Sequence, residues 1–124
     1  MFDLYILLTA VFLLALDFIY LNAMSNYFKN QVKIVQKTPI KINYLGVILC
    51  YILLIIGLYY FIIKRNKSVF DAFLLGFFVY GVYETTTLGL FTNWSFSTVV
   101  LDTLWGASLF AITTYLVYKV KKIF

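Results

Sequence analysis

Long apolar runs alternate with short polar segments along the chain, and this alternation predicts four membrane-crossing helices. A helix needs about 20 apolar residues to cross the hydrocarbon core of a bilayer. The first run lacks a basic leading segment and a small-residue cleavage site, so we expect a retained helix rather than a signal peptide. The predicted spans cover about residues 4–21, 39–63, 69–91 and 96–118.

The segment between the first two spans, residues 25–37, has an amphipathic pattern. Lysines recur there every four residues and share one helical face, whereas apolar residues lie on another face. This pattern predicts a helix that lies in the membrane interface, and a solvated basic loop is the alternative. The lysines are Lys29, Lys33 and Lys37, and the apolar residues are Phe28, Val32 and Val35.

Local signals mark the ends of the spans. Thr38-Pro39 predicts the start of the second span, because a hydroxyl cap is followed by proline at the first helical position. Ser68 and Asp71 have the spacing of a capping box before the third span, so we expect Asp71 to stabilise a helix start rather than to take part in chemistry. Trp94 lies in the connection between the last two spans, where an aromatic belt is expected.

Composition agrees with this pattern. The chain is 64% hydrophobic and 12% charged, whereas soluble domains average about 45–50% apolar and 25% charged residues. A soluble domain of 124 residues could not bury so much apolar surface, but a bilayer accepts it. We therefore predict one all-α domain over residues 1–124, an integral membrane four-helix bundle with an amphipathic interfacial connector between its first and second helices.

Basic residues cluster just outside the apolar runs and give the chain a net charge of +5. Such clusters favour contact with the bilayer and its anionic headgroups over binding of nucleic acid. Six basic residues lie on the membrane face of the termini and four on the opposite face, so we expect a multi-pass protein with cytoplasmic termini. The four predicted to contact headgroups are Lys29, Lys33, Lys37 and Lys41.

Several kinds of chemistry find no support in the sequence. The chain has no histidine and only one cysteine, Cys50, which excludes histidine-based diiron centres and Cys/His metal signatures. There is also no glycine-rich phosphate loop and no nucleophile elbow. We therefore expect no cofactor and no resident metal, and no specific motif indicates an enzyme.

Three carboxylic acids, Asp17, Glu84 and Asp102, lie inside apolar runs that contain no lysine or arginine. A charged side chain at the centre of a membrane helix costs roughly 2.5–3.5 kcal/mol on insertion scales, so an acid retained there indicates a functional site. Counted from the face of the termini, the three lie at depths of roughly 20, 22 and 24 Å. We predict that they converge inside the bundle.

Helical periodicity adds polar neighbours to each acid and gives the second span a face of small residues. We expect these faces to point into the bundle, where small residues allow close approach of helices. The cluster is then either a binding site or a structural polar network that fixes helix register. The four faces are Thr9, Leu13, Asp17 and Tyr20; Asn43, Gly46, Cys50 and Gly57; Gly76, Tyr80, Tyr83, Glu84 and Thr87; and Thr98, Asp102, Trp105, Gly106 and Thr113.

Segments around the three acids carry a resemblance that covers nearly the whole chain. They are Leu16-Asp17-Phe18-Ile19-Tyr20-Leu21, then Gly76 with Tyr80-Gly81-Val82-Tyr83-Glu84-Thr85-Thr86-Thr87, then Trp94 with Asp102-Thr103-Leu104-Trp105-Gly106. Here the chain is similar to the small four-helix membrane proteins grouped as domain of unknown function 2177. The resemblance implies the architecture and the choice of polar residues, but no activity. Glu84 stands where that family usually has Asp, and Thr87 where it usually has Asn.

Three functions are compatible with this sequence. The first is a small proton or cation channel or transporter, or a protein that binds a polar ligand, with its site formed by Asp17, Tyr80, Tyr83, Glu84, Thr87, Asp102 and Trp105. The second is a structural or assembly protein of a membrane, such as an envelope or virion membrane. The third is a lipid-modifying enzyme that uses two carboxyl groups as general acid and base. Because four helices make a narrow bundle, we expect a homo-oligomer.

Overall fold

The computed structural model describes residues 4–37, 43–91 and 93–123, and within these ranges the chain is helical, with no strand. The helices are α1 (Leu4–Ala23), α2 (Ser25–Gln36), α3 (Tyr44–Leu58, continued by the π-helical turn Tyr59–Ile63), α4 (Val69–Leu90) and α5 (Phe96–Ile123).

Four of these helices are long and apolar enough to cross a membrane: α1, α3 with its π-helical turn, α4 and α5. Their mean hydropathy lies between 1.3 and 2.6. Large apolar side chains cover their outer surfaces, as at Leu53, which is 71% exposed. Such a surface is stable against acyl chains and unstable in water. The predicted fold class, an all-α membrane bundle, is therefore confirmed.

The connector between the first two spans is a helix, α2, so the alternative of a solvated basic loop is wrong. Its lysines Lys29 and Lys33 are exposed, whereas Gln31 is buried and faces the connection between α4 and α5. The Gln31 Nε2 donates to the carbonyl oxygen of Asn93 over 3.0 Å, and the Thr98 hydroxyl donates to Gln31 Oε1 over 2.8 Å. These bonds attach α2 to one end of the bundle, called here the α2 end.

The caps of two spanning helices are visible. The amide of Asp71 donates to the Ser68 hydroxyl over 3.0 Å, as the capping-box spacing predicted. At the start of α3, the amide of Gly46 donates to Asn43 Oδ1 over 3.2 Å. The helix start predicted at Thr38-Pro39 lies outside the described residues, as does Lys41.

Helices α4 and α5 pack closely along their length, and two glycines allow this. A Cβ added to Gly76 would overlap the Gly106 carbonyl oxygen and lie 2.9 Å from the Ala107 Cα. A Cβ added to Gly106 would overlap the ring of Tyr80. Small residues at a membrane helix interface let the backbones approach in this way.

Replacing Gly106 by alanine should destabilise the bundle by about 1–3 kcal/mol, because the added methyl group forces Tyr80 and α4 away from α5. Reversible unfolding of the purified protein in detergent would measure the change. Gly57→Ala is the matched control, since an added Cβ there meets nothing within 4 Å. Equal stability of the two variants would contradict this account of the α4–α5 interface.

The end of the bundle opposite α2 is filled mainly by apolar side chains, and the hydroxyl groups of Thr9, Thr113 and Thr114 are also buried there. Leu13, Leu58, Ile63, Leu109 and Phe110 are buried there in one cluster. In α1 and α5 these residues lie further from the α2 end than the acids Asp17 and Asp102 do. An apolar plug therefore lies between the acids and the opposite membrane face.

The predicted role of the small face of α3 is wrong. An added Cβ on Gly57 meets nothing within 4 Å, and one on Gly46 meets only Asn43, at 4.0 Å. Instead, α3 packs on α1 and the core through a neighbouring stripe that contains Tyr51, Ile55 and Leu58. The small residues near the start of α3 do not bring α3 and α4 together, and the space left between these helices forms a cleft.

Candidate functional site: an acidic cleft between α3 and α4

The three membrane acids lie at one depth. Asp17 and Glu84 each lie six residues before the last residue of their helix, at Ala23 and Leu90, and Asp102 lies six residues after the start of α5. Six residues of helix correspond to about 9 Å. All three helix ends belong to the α2 end of the bundle, so the acids occupy one layer near that end.

The carboxyl groups of Glu84 and Asp102 lie within hydrogen-bonding reach of each other. Asp17 lies near Asp102, and both line the same cavity. A hydrogen bond between two carboxyl groups requires a proton on one of them, because a carboxylate only accepts. Glu84 and Asp102 therefore form a pair of neighbouring carboxyl groups that can share one proton.

Asp17 has protein donors on both of its oxygens. The Trp105 indole Nε1 donates to Oδ1 over 2.9 Å, and the Tyr51 hydroxyl donates to Oδ2. The side chain is 6% exposed. Two directed donors stabilise a buried carboxylate without a cation. Asp17 thus connects α1, α3 and α5 and serves first as a structural acid.

Glu84 is also held by an indole. It is 2% exposed, and Trp94 Nε1 donates to its Oε1 over 3.1 Å. Trp94 belongs to the connection between α4 and α5, so this bond ties the end of α4 to the turn that follows it. Trp94 therefore stabilises the acid layer, a role beyond the aromatic belt that the sequence indicates.

Asp102 has different surroundings. In place of an indole, the Glu84 carboxyl and the Tyr20 hydroxyl lie beside it, and part of its side chain faces the cleft. The Tyr20 ring stacks on Trp105 with 4.5 Å between ring centroids. Its hydroxyl is buried, yet among the described residues it has no hydrogen-bond partner in favourable geometry. Asp102 and Tyr20 can thus still form hydrogen bonds, whereas both oxygens of Asp17 already accept them.

The cleft between α3 and α4 has a volume of about 640 Å³, within the range of roughly 300–1,000 Å³ that small-molecule sites occupy. One wall comes from α3, the other from α4, and the acids of α1 and α5 lie between these walls. The lining residues are Asp17, Leu21, Asn43, Gly46, Val47, Cys50, Tyr51, Leu54, Val79, Tyr80, Tyr83 and Asp102.

Along α3 the lining extends from Asn43, at the α2 end, to Leu54. Eleven residues of helix span about 16 Å, so the cleft reaches from the membrane surface to the middle of the bilayer. Apart from Asp17 and Asp102, its side chains are uncharged. The site is an elongated apolar cleft with acidic groups on its inner wall.

The remaining predicted site residues divide into two groups. Tyr80 and Tyr83 line the cleft, and Tyr83 is 65% exposed. Trp105 contacts Asp17 directly. Thr87 is apart from the acids, since its hydroxyl donates to the Tyr83 carbonyl of its own helix over 2.9 Å. The structure thus brings Asp17, Tyr80, Tyr83, Glu84, Asp102 and Trp105 together at the cleft and its inner wall, but not Thr87.

Sequence reasoning missed Tyr51, which donates to Asp17. The residue lies one position after Cys50, so it belongs to the neighbouring face of α3 rather than to the predicted small face. A signal was available, because Tyr51, Ile55, Leu58 and Ile62 follow helical spacing, and this stripe contains the hydroxyl of α3 that lies at the depth of the acids.

Among the described residues, no group of three or more acidic or cysteine side chains is arranged to hold a metal ion.

Comparison with known proteins gives one finding. A family model described as "Predicted membrane protein (DUF2177)" matches residues 2–119, nearly the whole chain. No curated protein and no solved structure matches the chain.

Proposed function

The chain belongs to the domain of unknown function 2177 family of predicted membrane proteins, and from that premise we propose that it binds a small ligand with a polar head inside the bilayer. The ligand lies in the cleft between α3 and α4, with its head at Asp102. The supporting observation is the cleft itself, about 640 Å³ of space with two acids on an otherwise uncharged lining. A ligand that enters between α3 and α4 reaches these acids from the lipid.

Binding is favoured over a continuous pathway for protons or cations. The cluster of Leu13, Leu58, Leu109 and Phe110 lies between the acid layer and the opposite membrane face, and buried apolar side chains offer no ligands to an ion. Transport therefore requires a second conformation in which this plug opens. The neighbouring carboxyl groups of Glu84 and Asp102, which can share a proton, favour transport as the second candidate.

The structural and enzymatic alternatives have narrower support. Both oxygens of Asp17 accept hydrogen bonds from protein donors, as a purely structural network requires. The oxygens of Asp102 and Tyr20 are not satisfied in the same way.

For a lipid-modifying enzyme, the carboxyl groups of Glu84 and Asp102 would supply the acid and the base. Turnover of labelled lipid by the purified protein would distinguish that role from binding.

Bromododecanol, a quencher with a polar head and one alkyl chain, should saturably quench the part of the tryptophan fluorescence that comes from Trp105 in lipid nanodiscs. Trp94, the second tryptophan of the chain, contributes the same background in every variant. We expect Cys50→Phe to weaken this binding at least tenfold, because the added ring occupies the cleft. Leu53→Phe is the matched control, since it adds the same ring to the lipid-facing side of α3. Quenching that rises without saturation, or that the two variants weaken equally, would exclude the cleft as a binding site.

We also infer that α2 contacts anionic headgroups. Lys29, Lys33 and Lys37 are exposed, while bonds through Gln31 hold the helix at the end of the bundle. Exposed lysines at a membrane surface gain about 1 kcal/mol each from anionic lipid. This contact would keep α2 in place beside the acid layer.

A further inference from the structure

We propose that the ligand of the cleft is a single-chain amphiphile with a primary ammonium head, a lipid-soluble amine. This inference rests on the proposed function and names the class of ligand. The head lies at Asp102, beside the Tyr20 hydroxyl, and the chain follows the apolar wall of α3. Charge, unused hydrogen-bonding capacity and the shape of the cleft each support it.

The charge of the acid layer calls for a cation. Asp17, Glu84 and Asp102 lie together, and no lysine or arginine occurs in the sequence of α1, α3 or α4, nor in α5 before Lys119. The donors to Asp17 are neutral and stabilise a carboxylate without cancelling its charge, and a proton shared by Glu84 and Asp102 would neutralise only one of these two groups. A cationic head would therefore meet an uncompensated negative site, whereas an anionic head would be repelled.

Hydrogen bonding favours a primary ammonium group. This group has three N–H donors and no acceptor. Asp102 offers carboxyl oxygens to it where its side chain faces the cleft. The rings of Tyr80 and Tyr83 line the same cleft, and aromatic faces attract ammonium ions. The site thus has acceptors and aromatic rings, as an amine requires.

The apolar part of the cleft fits one chain. Its lining on α3 spans about 16 Å from Asn43 to Leu54, in the direction of the membrane normal. Val47, Leu54 and Val79 supply apolar contacts along that length. A volume of about 640 Å³ is that of a small-molecule site, so one alkyl chain with a small head fits it.

Displacement of bromododecanol from the wild-type protein tests this class of ligand. Dodecylammonium, dodecyltrimethylammonium, dodecanol and dodecyl sulfate share one chain and differ in the head. Each would be titrated at low mole fraction into zwitterionic nanodiscs, with recovery of Trp105 fluorescence as the readout. We expect dodecylammonium to displace the probe at a concentration at least about tenfold below that of dodecanol, because its bonds to Asp102 are charge-assisted. Dodecyl sulfate should be weakest.

The outcomes separate the two proposals. Equal displacement by dodecylammonium and dodecanol would overturn the cationic ligand and leave binding in the cleft intact. Displacement by dodecyltrimethylammonium as strong as that by dodecylammonium would overturn the hydrogen-bonded primary amine. If the probe itself does not bind saturably, the proposed function fails. A preference for ammonium that persists in Cys50→Phe would place the amine outside the cleft and overturn the inference.

Discussion

Asp17→Leu should lower the free energy of unfolding by about 2–4 kcal/mol, although leucine is the better residue for a membrane interior. The substitution removes the acceptor for the Tyr51 hydroxyl and the Trp105 indole N–H, and both donors lie where water is scarce. Each donor left unpaired costs about 1–3 kcal/mol. Unfolding in detergent, followed by tryptophan fluorescence, would measure the loss, and Trp105, one of the two tryptophans of the chain, is a residue that has lost its partner.

Two controls make this prediction specific. Asp17→Asn keeps an oxygen for Trp105 and places an amide beside the Tyr51 oxygen, so it should cost less than Asp17→Leu. Tyr51→Phe removes one donor and leaves no unpaired group on α3, so its effect should be the smallest of the three. An Asp17→Leu variant as stable as the wild-type protein would show that the bonds between α1, α3 and α5 contribute little.

Part of this arrangement follows from the sequence because charge and periodicity coincide. In α1 the predicted face, Thr9, Leu13, Asp17 and Tyr20, is the buried set in the structure. An acid in an apolar helix has to point inward, so one residue fixes the rotation of the whole helix. The same reasoning places Glu84, Thr98 and Gly106 inside the bundle. Where a spanning helix contains an acid, the sequence determines its orientation.

Helix α3 shows where this reasoning fails. Its mean hydropathy is 2.6, the highest of the four spans, and it contains no acid. Apolar residues surround it on every side, so the hydrophobic pattern alone does not indicate its rotation. Two signals remain, the hydroxyl of Tyr51 and the small residues Gly46 and Cys50, and the prediction rested on the small residues. That signal indicated close packing, whereas in the structure these residues line open space. A small residue leaves room for either a neighbouring helix or a ligand. Which of the two occupies that room depends on the residues of the facing helix, and the sequence pattern of α3 alone does not specify this.

The sequence also does not predict the different roles of the three acids. All three lie in similar apolar surroundings, and only the positions of the donors distinguish them. Trp105 and Tyr51 reach Asp17 from two other helices, and Trp94 reaches Glu84 from a turn. These contacts depend on the rotation of α3 and on the path of the turn. The structure therefore supplies what sequence leaves open, namely that Asp102 is the acid whose partners leave room for a ligand.

Asp102→Asn should remove the preference for an ammonium head and leave the protein folded. The amide can still donate to the Glu84 carboxyl, so the packing of α4 on α5 persists and stability should change by less than about 1 kcal/mol. Asp17 is then the acid that remains in the cleft lining, and both of its oxygens already accept hydrogen bonds from Trp105 and Tyr51. In the nanodisc assay we expect dodecylammonium to bind at least about tenfold more weakly, while dodecanol binding is nearly unchanged. Any flux of protons or cations through the protein in liposomes should disappear with the same substitution.

Asp71→Asn is the control for charge, because it removes a carboxylate from the exposed start of α4, away from the cleft. That variant should retain the full preference for ammonium, because Asp102 is still present. It is a matched control, because the lipid and the net charge of the chain are the same as for Asp102→Asn. If both variants retain the preference, the head of the ligand does not meet Asp102, and the site proposed for the amine is wrong. If Asp102→Asn instead unfolds the protein while Asp17→Leu does not, the structural and binding roles assigned to these two acids are reversed. The pair of measurements therefore decides which carboxyl group holds the helices together and which one is free to bind a ligand.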